Sequence, residues 1–277
     1  MQRERVADDI YVFTSDLYAQ VTASVIVTSE GAVLVDTLVY PEETRQIKRF
    51  VEHRLGQKVI YIINTHFHAD HTTGTCFFEN AHVVSHALCR RLLHLRGRES
   101  LERARLTSDE FREVSLVLPD IVFEAGSLTL HTGNKTFELH HTPGHSPDSI
   151  VCHVPEDRVL FAADTLMPIP YFVDGSYDDF VASLQSLQGG HYEHIIQGHG
   201  EVILRGEIDD KIRSDLDYLE HLRNAVDLAL MSGQPLDEVD IEACGKSRIL
   251  LNGAVQGLHH QNVLALAQQR RELVQQL

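Results

Sequence analysis

The run 58-KVIYII-63 constrains this chain more than any other segment. After Lys58 it is apolar and rich in β-branched residues, the pattern of a strand covered on both faces, as in parallel sheets. It leads straight into 64-NTHFHADHTTG-74. His66, His68, Asp70 and His71 therefore sit on the loop leaving the C-terminal end of a buried strand, where open α/β sheets bind ligands. His66 and His68 are two apart and in extended backbone point the same way. Asp70 and His71 follow on a tightening turn and face a second point. Imidazoles with a carboxylate at such close spacing suit a metal ion.

Three more strand ends carry residues of the same kind. His145 lies in 142-TPGHSPDS-149, behind a Pro143-Gly144 turn. Asp164 closes the apolar run in 160-LFAADTL-166, where an unpaired carboxylate would be costly. His199 lies between glycines in 196-IQGHG-200. A lone histidine is usually a satisfied polar residue, but four such positions are hard to explain as coincidence.

The rest of the chain alternates short strands with helices. Runs 10–14, 21–28 and 32–36 read as strands, and 41–56 as a helix with Pro41 in its first turn. Residues 85–113 look helical. Strands return at 120–124, 127–131, 136–141, 149–154 and 158–163, followed by a helix over 178–188 and a last strand at 194–198. Beyond Gly206, Ile208, Ile212, Leu216, Leu219, Leu222 and Val226 recur at helical spacing, and 261–277 is helical too. This predicts an α/β (α+β) catalytic domain over 1–206, with a helical C-terminal extension over 207–277 packed on it.

Charge and cysteine usage narrow the partners. The formal net charge is −16, without the basic stripe that phosphate neutralisation needs, which argues against a nucleic-acid substrate. Cys76, Cys89, Cys152 and Cys244 form no Cys-x-x-Cys pair and read as reduced thiols of a cytoplasmic protein. The charged MQRERVADDI stretch lacks an apolar core and does not read as a secretory signal, and no apolar run is long enough to span a membrane.

His66-x-His68-x-Asp70-His71, then His145, Asp164 and His199 in that order, resembles the metallo-β-lactamase superfamily over roughly residues 9–205. The resemblance implies a four-layer αββα sandwich with the site along one edge. It implies that His66, His68 and His145 hold one metal, that Asp70, His71 and His199 hold a second, and that Asp164 bridges them. Asp36, ending 33-VLVD-36, matches the family's early strand-end aspartate behind the ligands. The implied cofactor is two Zn²⁺ per chain, with Fe or Mn tolerated. Such a pair lowers the pKa of a shared water, giving a hydroxide that attacks a carbonyl carbon, with Asp70 ligating and orienting it.

Departures within the superfamily sharpen this. Position 164 is Asp, where true β-lactamases typically carry Cys or Ser, and position 68 is His, where flavodiiron proteins carry Glu. The resemblance is then to the glyoxalase II and acyl-homoserine lactonase type, which hydrolyse a small-molecule thioester, lactone or ester. The alternatives are a persulfide dioxygenase-like oxidoreductase using one iron, and a binding module that has lost turnover. Tyr171, on the loop after Asp164, is the candidate hydrogen-bond donor to the substrate. The stretch 116–123 and the C-terminal helices are candidate pocket walls, and a homodimer is the family's suggestion.

Overall fold

The computed structural model describes residues 1–275. Its elements, in chain order, begin with β1 (Gln2–Ala7), β2 (Ile10–Thr14), β3 (Thr22–Val27), β4 (Ala32–Val35), α1 (Pro41–Arg49) and β5 (Val59–Ile63). The short α2 (Ala69–Thr72), β6 (His82–His86), α3 (Ala87–Leu92), α4 (Arg98–Thr107), β7 (Ile121–Phe123), β8 (Ser127–Thr132) and β9 (Lys135–His141) follow. The chain continues through β10 (Ile150–Val154), β11 (Val159–Ala163), α5 (Tyr177–Ser186), β12 (His194–Gln197), β13 (Ile203–Leu204), α6 (Ile208–Ser232) and α7 (Val255–Gln275).

The strands form two sheets. One has seven strands in sequence order, β1 to β7, and the other has six in the order β13-β12-β11-β10-β9-β8. In the first sheet β1 to β4 pair antiparallel, while β4 to β7 run parallel. Strand alternation explains how the sheets stack, because both faces of the central strands are apolar. In β4, Val33 and Val35 point between the sheets, toward Phe137, Leu139, Ile150 and Phe161 of the second sheet. Leu34 and its neighbours Val25 and Ile62 point outward onto Ile47, Phe50 and Val51 around α1. On the far side, Leu160, Ala162 and Ile195 pack under α5, α6 and α7, with Phe180, Leu219, Leu222 and Val263 in the same cluster. Each fully buried side chain of this kind contributes roughly 1.5–3 kcal/mol relative to exposure. The layers are helix, sheet, sheet, helix, as the resemblance implied.

Three differences from the sequence reading have physical causes. β1 is exposed and charged, an edge strand held by its pairing with β2 rather than by an apolar face. Ser85 and His86 end strand β6 instead of starting the helix, which runs from Ala87 through a wider turn at Leu93–Gly97 to Thr107. α7 begins at Val255, before the run 261–277. No helix among the described residues is long and apolar enough to cross a membrane.

Candidate metal centre

The C-terminal ends of β4, β5, β9, β11 and β12 meet at one edge of the sandwich, and each hands the chain to a residue of the cluster. Asp36 follows β4 in left-handed backbone (φ 56°), and Ala163 (φ 44°) turns the chain into Asp164. Such conformations are strained for non-glycine residues and concentrate at functional sites. At the end of β12, Gly198 is required because a Cβ there would collide with Asp164 Oδ1.

The seven residues singled out from the sequence come together as two adjoining groups that could each hold a metal ion. His66, His68, His145 and Asp164 form one, and Asp70, His71 and His199 form the other. Asp164 touches members of both. Its Oδ2 lies 3.2 Å from His145 Nε2, 3.8 Å from His66 Nε2 and 3.6 Å from His199 Nε2. Its Oδ1 lies 3.2 Å from His71 Nε2. Asp70 Oδ2 is 3.3 Å from His199 Nε2.

The outward nitrogen of every imidazole is already committed. His71 Nδ1 donates to Asp36 Oδ2 at 2.8 Å, His145 Nδ1 to the Tyr171 carbonyl at 2.7 Å and His199 Nδ1 to the Ala19 carbonyl at 2.8 Å. Thr65 Oγ1 gives its own hydrogen to Asp36 Oδ2, so its oxygen accepts from His66 Nδ1 at 3.1 Å. His68 is turned the other way, with Nε2 donating to Asp174 Oδ2 at 3.0 Å. These bonds fix the tautomers. Neutral imidazoles held this way point lone pairs inward from Nε2 of His66, His71, His145 and His199 and from Nδ1 of His68. His68 Nδ1 lies 3.1 Å from His66 Nε2 and 2.9 Å from His145 Nε2. Lone pairs that close repel unless a cation lies among them. His71 Nε2 and Asp164 Oδ1 are buried with no hydrogen-bond partner in the protein, the condition of groups shaped for a metal. The donor set fits one.

A family model of the metallo-beta-lactamase superfamily matches residues 18–226, which span all seven. The chain belongs to that superfamily. It is 27% identical over 197 residues to the "Beta-lactamase-like protein 2 homolog" of Caenorhabditis elegans, covering 70% of this chain and 59% of that protein. It is 28% identical over 166 residues to the "Acyl-coenzyme A thioesterase MBLAC2" of Gallus gallus, covering 52% and 57%. The chain thus spans about three fifths of the length of either relative. Among solved structures, "Metallo-beta-lactamase from Pontibacter korlensis" shares the fold with a TM-score of 0.66 at 20% identity, covering 79% of this chain and 98% of that one.

Within this superfamily fold the electrostatics favour positive charge at the second group. Burial alone would lower the pKa of His71, but Asp164, Asp70 and Asp36 outweigh it and raise it well above the ordinary histidine value. Burial opposes charge on His199 as well, yet Asp164 and Asp70 push it up to about 10. Asp70 is held down to about 2: burial raises it, and His71 and His199 more than reverse that. In the first group the balance differs, and burial keeps His145 down at about 4.

The candidate donor Tyr171, several further histidines and Cys76 fall outside the cluster. Tyr171 meets the site through its carbonyl, while its hydroxyl donates to Gln261 on α7. His141 stacks on His86 with ring centroids 4.0 Å apart, and His194 starts β12 at the end away from His199. His259 is buried and bonded to Tyr218 and the Val239 carbonyl. Cys76 is half-buried, its thiol toward the Thr73 carbonyl. Asp174, Thr65 and the Ala19 and Tyr171 carbonyls were not foreseen as supports. Backbone carbonyls leave no trace in a residue pattern, and only the adjacency of Thr65 to the motif offered a signal.

Proposed function

We propose that this chain is a metal-dependent hydrolase acting on the carbonyl of a small-molecule ester, thioester or lactone. The convergence of five imidazole lone pairs and two carboxylates at one sheet edge carries the reading. His66, His68 and His145 would hold one ion, Asp70, His71 and His199 a second, with Asp164 shared between them. Zn²⁺ suits this donor set, and Fe or Mn is compatible with it. Metal bound there supplies Lewis acidity and makes hydroxide available near neutral pH.

The protein's own groups do the rest. Asp70, on the first turn of α2, presents an ionised carboxylate that orients the attacking water. Asp36, Thr65, Tyr171 and Asp174 hold the imidazoles so that little reorganisation is needed during reaction. The Tyr171 hydroxyl, bonded to Gln261 when no substrate is present, is a donor that can turn to a substrate oxygen.

A cavity of about 320 Å³ opens beside His68 and Asp174, with Phe67, Leu93, Leu101, Ala104, Phe111 and Leu116 among its walls. At about 30 Å³ per water-sized group, it takes a chain or ring system of roughly ten heavy atoms. Its walls come from the helix over 87–107 and the segment after it, including Leu116 and Val117 of the predicted 116–123 wall, while the C-terminal helices contribute none of its lining. The apolar lining supports an acyl substrate, and the likeness to a thioesterase supports a thioester among the candidates.

Metal analysis of protein purified without added metal should find close to two transition-metal ions per chain. A panel of thioesters, lactones, aryl esters and β-lactams should show turnover of one of the first three classes and little of the last. One iron per chain with oxygen consumption on a persulfide would replace the hydrolase reading with an oxidoreductase one. Metal-loaded protein inert on every class would leave a binding module.

A further inference from the structure

We infer that Asn262, on the C-terminal helix α7, is a positioning residue for the metal centre, acting through the backbone on both sides of Tyr171. Its side chain is fully buried. Nδ2 donates to the Pro170 carbonyl at 2.6 Å, and Oδ1 accepts from the Phe172 amide at 3.3 Å. The two bonds bracket Tyr171, whose carbonyl takes the Nδ1 proton of His145 at 2.7 Å. The Asn262 amide therefore sets where that carbonyl points, and the carbonyl sets where His145 aims its Nε2.

The amide cannot flip. The second Nδ2 hydrogen donates to Tyr218 Oη at 3.2 Å, and the Tyr218 hydroxyl in turn donates to His259 Nδ1 at 3.0 Å. His259 Nε2 donates to the Val239 carbonyl at 3.0 Å, which closes the chain of donors. Every group in this buried relay has one consistent role, and reversing the amide would set two acceptors against each other at Pro170.

One helical face makes the brace. Gln269, seven residues on, accepts from the Tyr177 amide at 3.1 Å and donates to the Gly175 carbonyl at 3.3 Å. The braced loop also carries Asp174, the partner of His68. Two histidines of the first group thus take their orientation from a loop held by α7. His71 and His199 take theirs from Asp36 and Ala19, on β-strand connections of the first sheet. The inference rests on the metal-centre reading and makes an asymmetric claim: loss of Asn262 loosens the His66–His68–His145 position and spares the other.

The test is Zn²⁺ competition against a chromophoric chelator on the full chain, with Co²⁺ absorption spectra reporting each position. Asn262→Ala should weaken one metal equilibrium about tenfold, within the range of lost outer-shell contacts, and change one Co²⁺ band set. Val263→Ala, in the same helix and core but making no hydrogen bond to the loop, should lower Tm comparably without changing either measurement. If Asn262→Ala does not fold, Asn262→Asp keeps the volume and the Phe172 contact but turns an acceptor toward Pro170, and should show the same loss. Unaltered Zn²⁺ affinity and spectra in a folded Asn262 variant, or equal losses in Val263→Ala, would overturn the inference while leaving the metal centre intact. Failure of the unsubstituted chain to take up Zn²⁺ would instead overturn the metal-centre reading, and the inference with it.

Discussion

His71 Nδ1 lies 2.8 Å from Asp36 Oδ2, and Asp36 holds that position in left-handed backbone with φ 56°. The same carboxylate also accepts from the Thr65 amide at 2.9 Å and the Thr65 hydroxyl at 2.7 Å, so one buried residue sets the start of the metal loop. Asp36→Ala would leave three donors unsatisfied at a conformation alanine tolerates poorly. We expect a 10–100-fold loss of Zn²⁺ affinity and a destabilisation of about 2–4 kcal/mol. Asp36→Asn should do less, because asparagine accepts left-handed backbone and keeps one acceptor. Chelator competition and urea unfolding check both; equal effects from the two substitutions would contradict the argument.

Gly198→Ala tests the closeness of β12 to Asp164. The added Cβ meets Asp164 Oδ1 and the backbone of Ala163, neither of them a flexible chain end. The expected product is a folded protein whose metal content after dialysis falls by half or more, because Asp164 reaches both groups. Circular dichroism and elemental analysis of the same sample separate this from misfolding.

Removing metal should reveal how much of the edge is held by it. Stripping Zn²⁺ from the loaded chain removes the cation shared by the converging lone pairs of His66, His68 and His145, so Tm should fall by several degrees and recover on reloading. The protection of amides in residues 64–74 and 142–148 should fall most in hydrogen exchange. A chain whose Tm ignores chelation would show that the edge is built without regard to metal.

The cavity beside His68 makes a specificity prediction. Ala104→Phe narrows it without touching a metal-site residue. KM for a long-chain acyl ester should rise at least tenfold, while kcat/KM for an acetyl ester stays within about threefold. Parallel losses on both substrates would place the acyl group elsewhere.

His259 gives a pH prediction away from the metal centre. Burial lowers its pKa, opposed by the Val239 carbonyl and Asp240 and assisted by His260. Its Nδ1 accepts from Tyr218, so protonation breaks that bond. With the folded value below the unfolded one of about 6.5, this stability is complete above pH 6.5 and is lost as pH falls toward the folded value. Chemical denaturation from pH 7.5 to 5 should show the decline, and His259→Gln should flatten it.

The metal-binding residue types were legible in the sequence because each ends an apolar strand, and chain order alone matched them to a family pattern. What surrounds them was not. Asp174 sits in the loop after Asp164, where its carboxylate looks like any surface acid. Ala19 and Tyr171 contribute carbonyls, which every residue has. Asn262 belongs to the polar 261-QN-262 pair on a helix of weak apolar pattern, and only the tertiary packing shows that one of the two faces inward. β1 escaped notice because an edge strand needs a partner, not an apolar face.

The brace between α7 and the loop around Tyr171 also has a consequence in time. Asn262 is made 196 residues after His66, an interval of about 10–40 s at about 5–20 residues per second on the ribosome. The first histidines leave the ribosome long before the helix that steadies His145 exists. An ion meeting the chain in that interval would find only part of the candidate ligand set, with the brace on the Tyr171 loop still to be made.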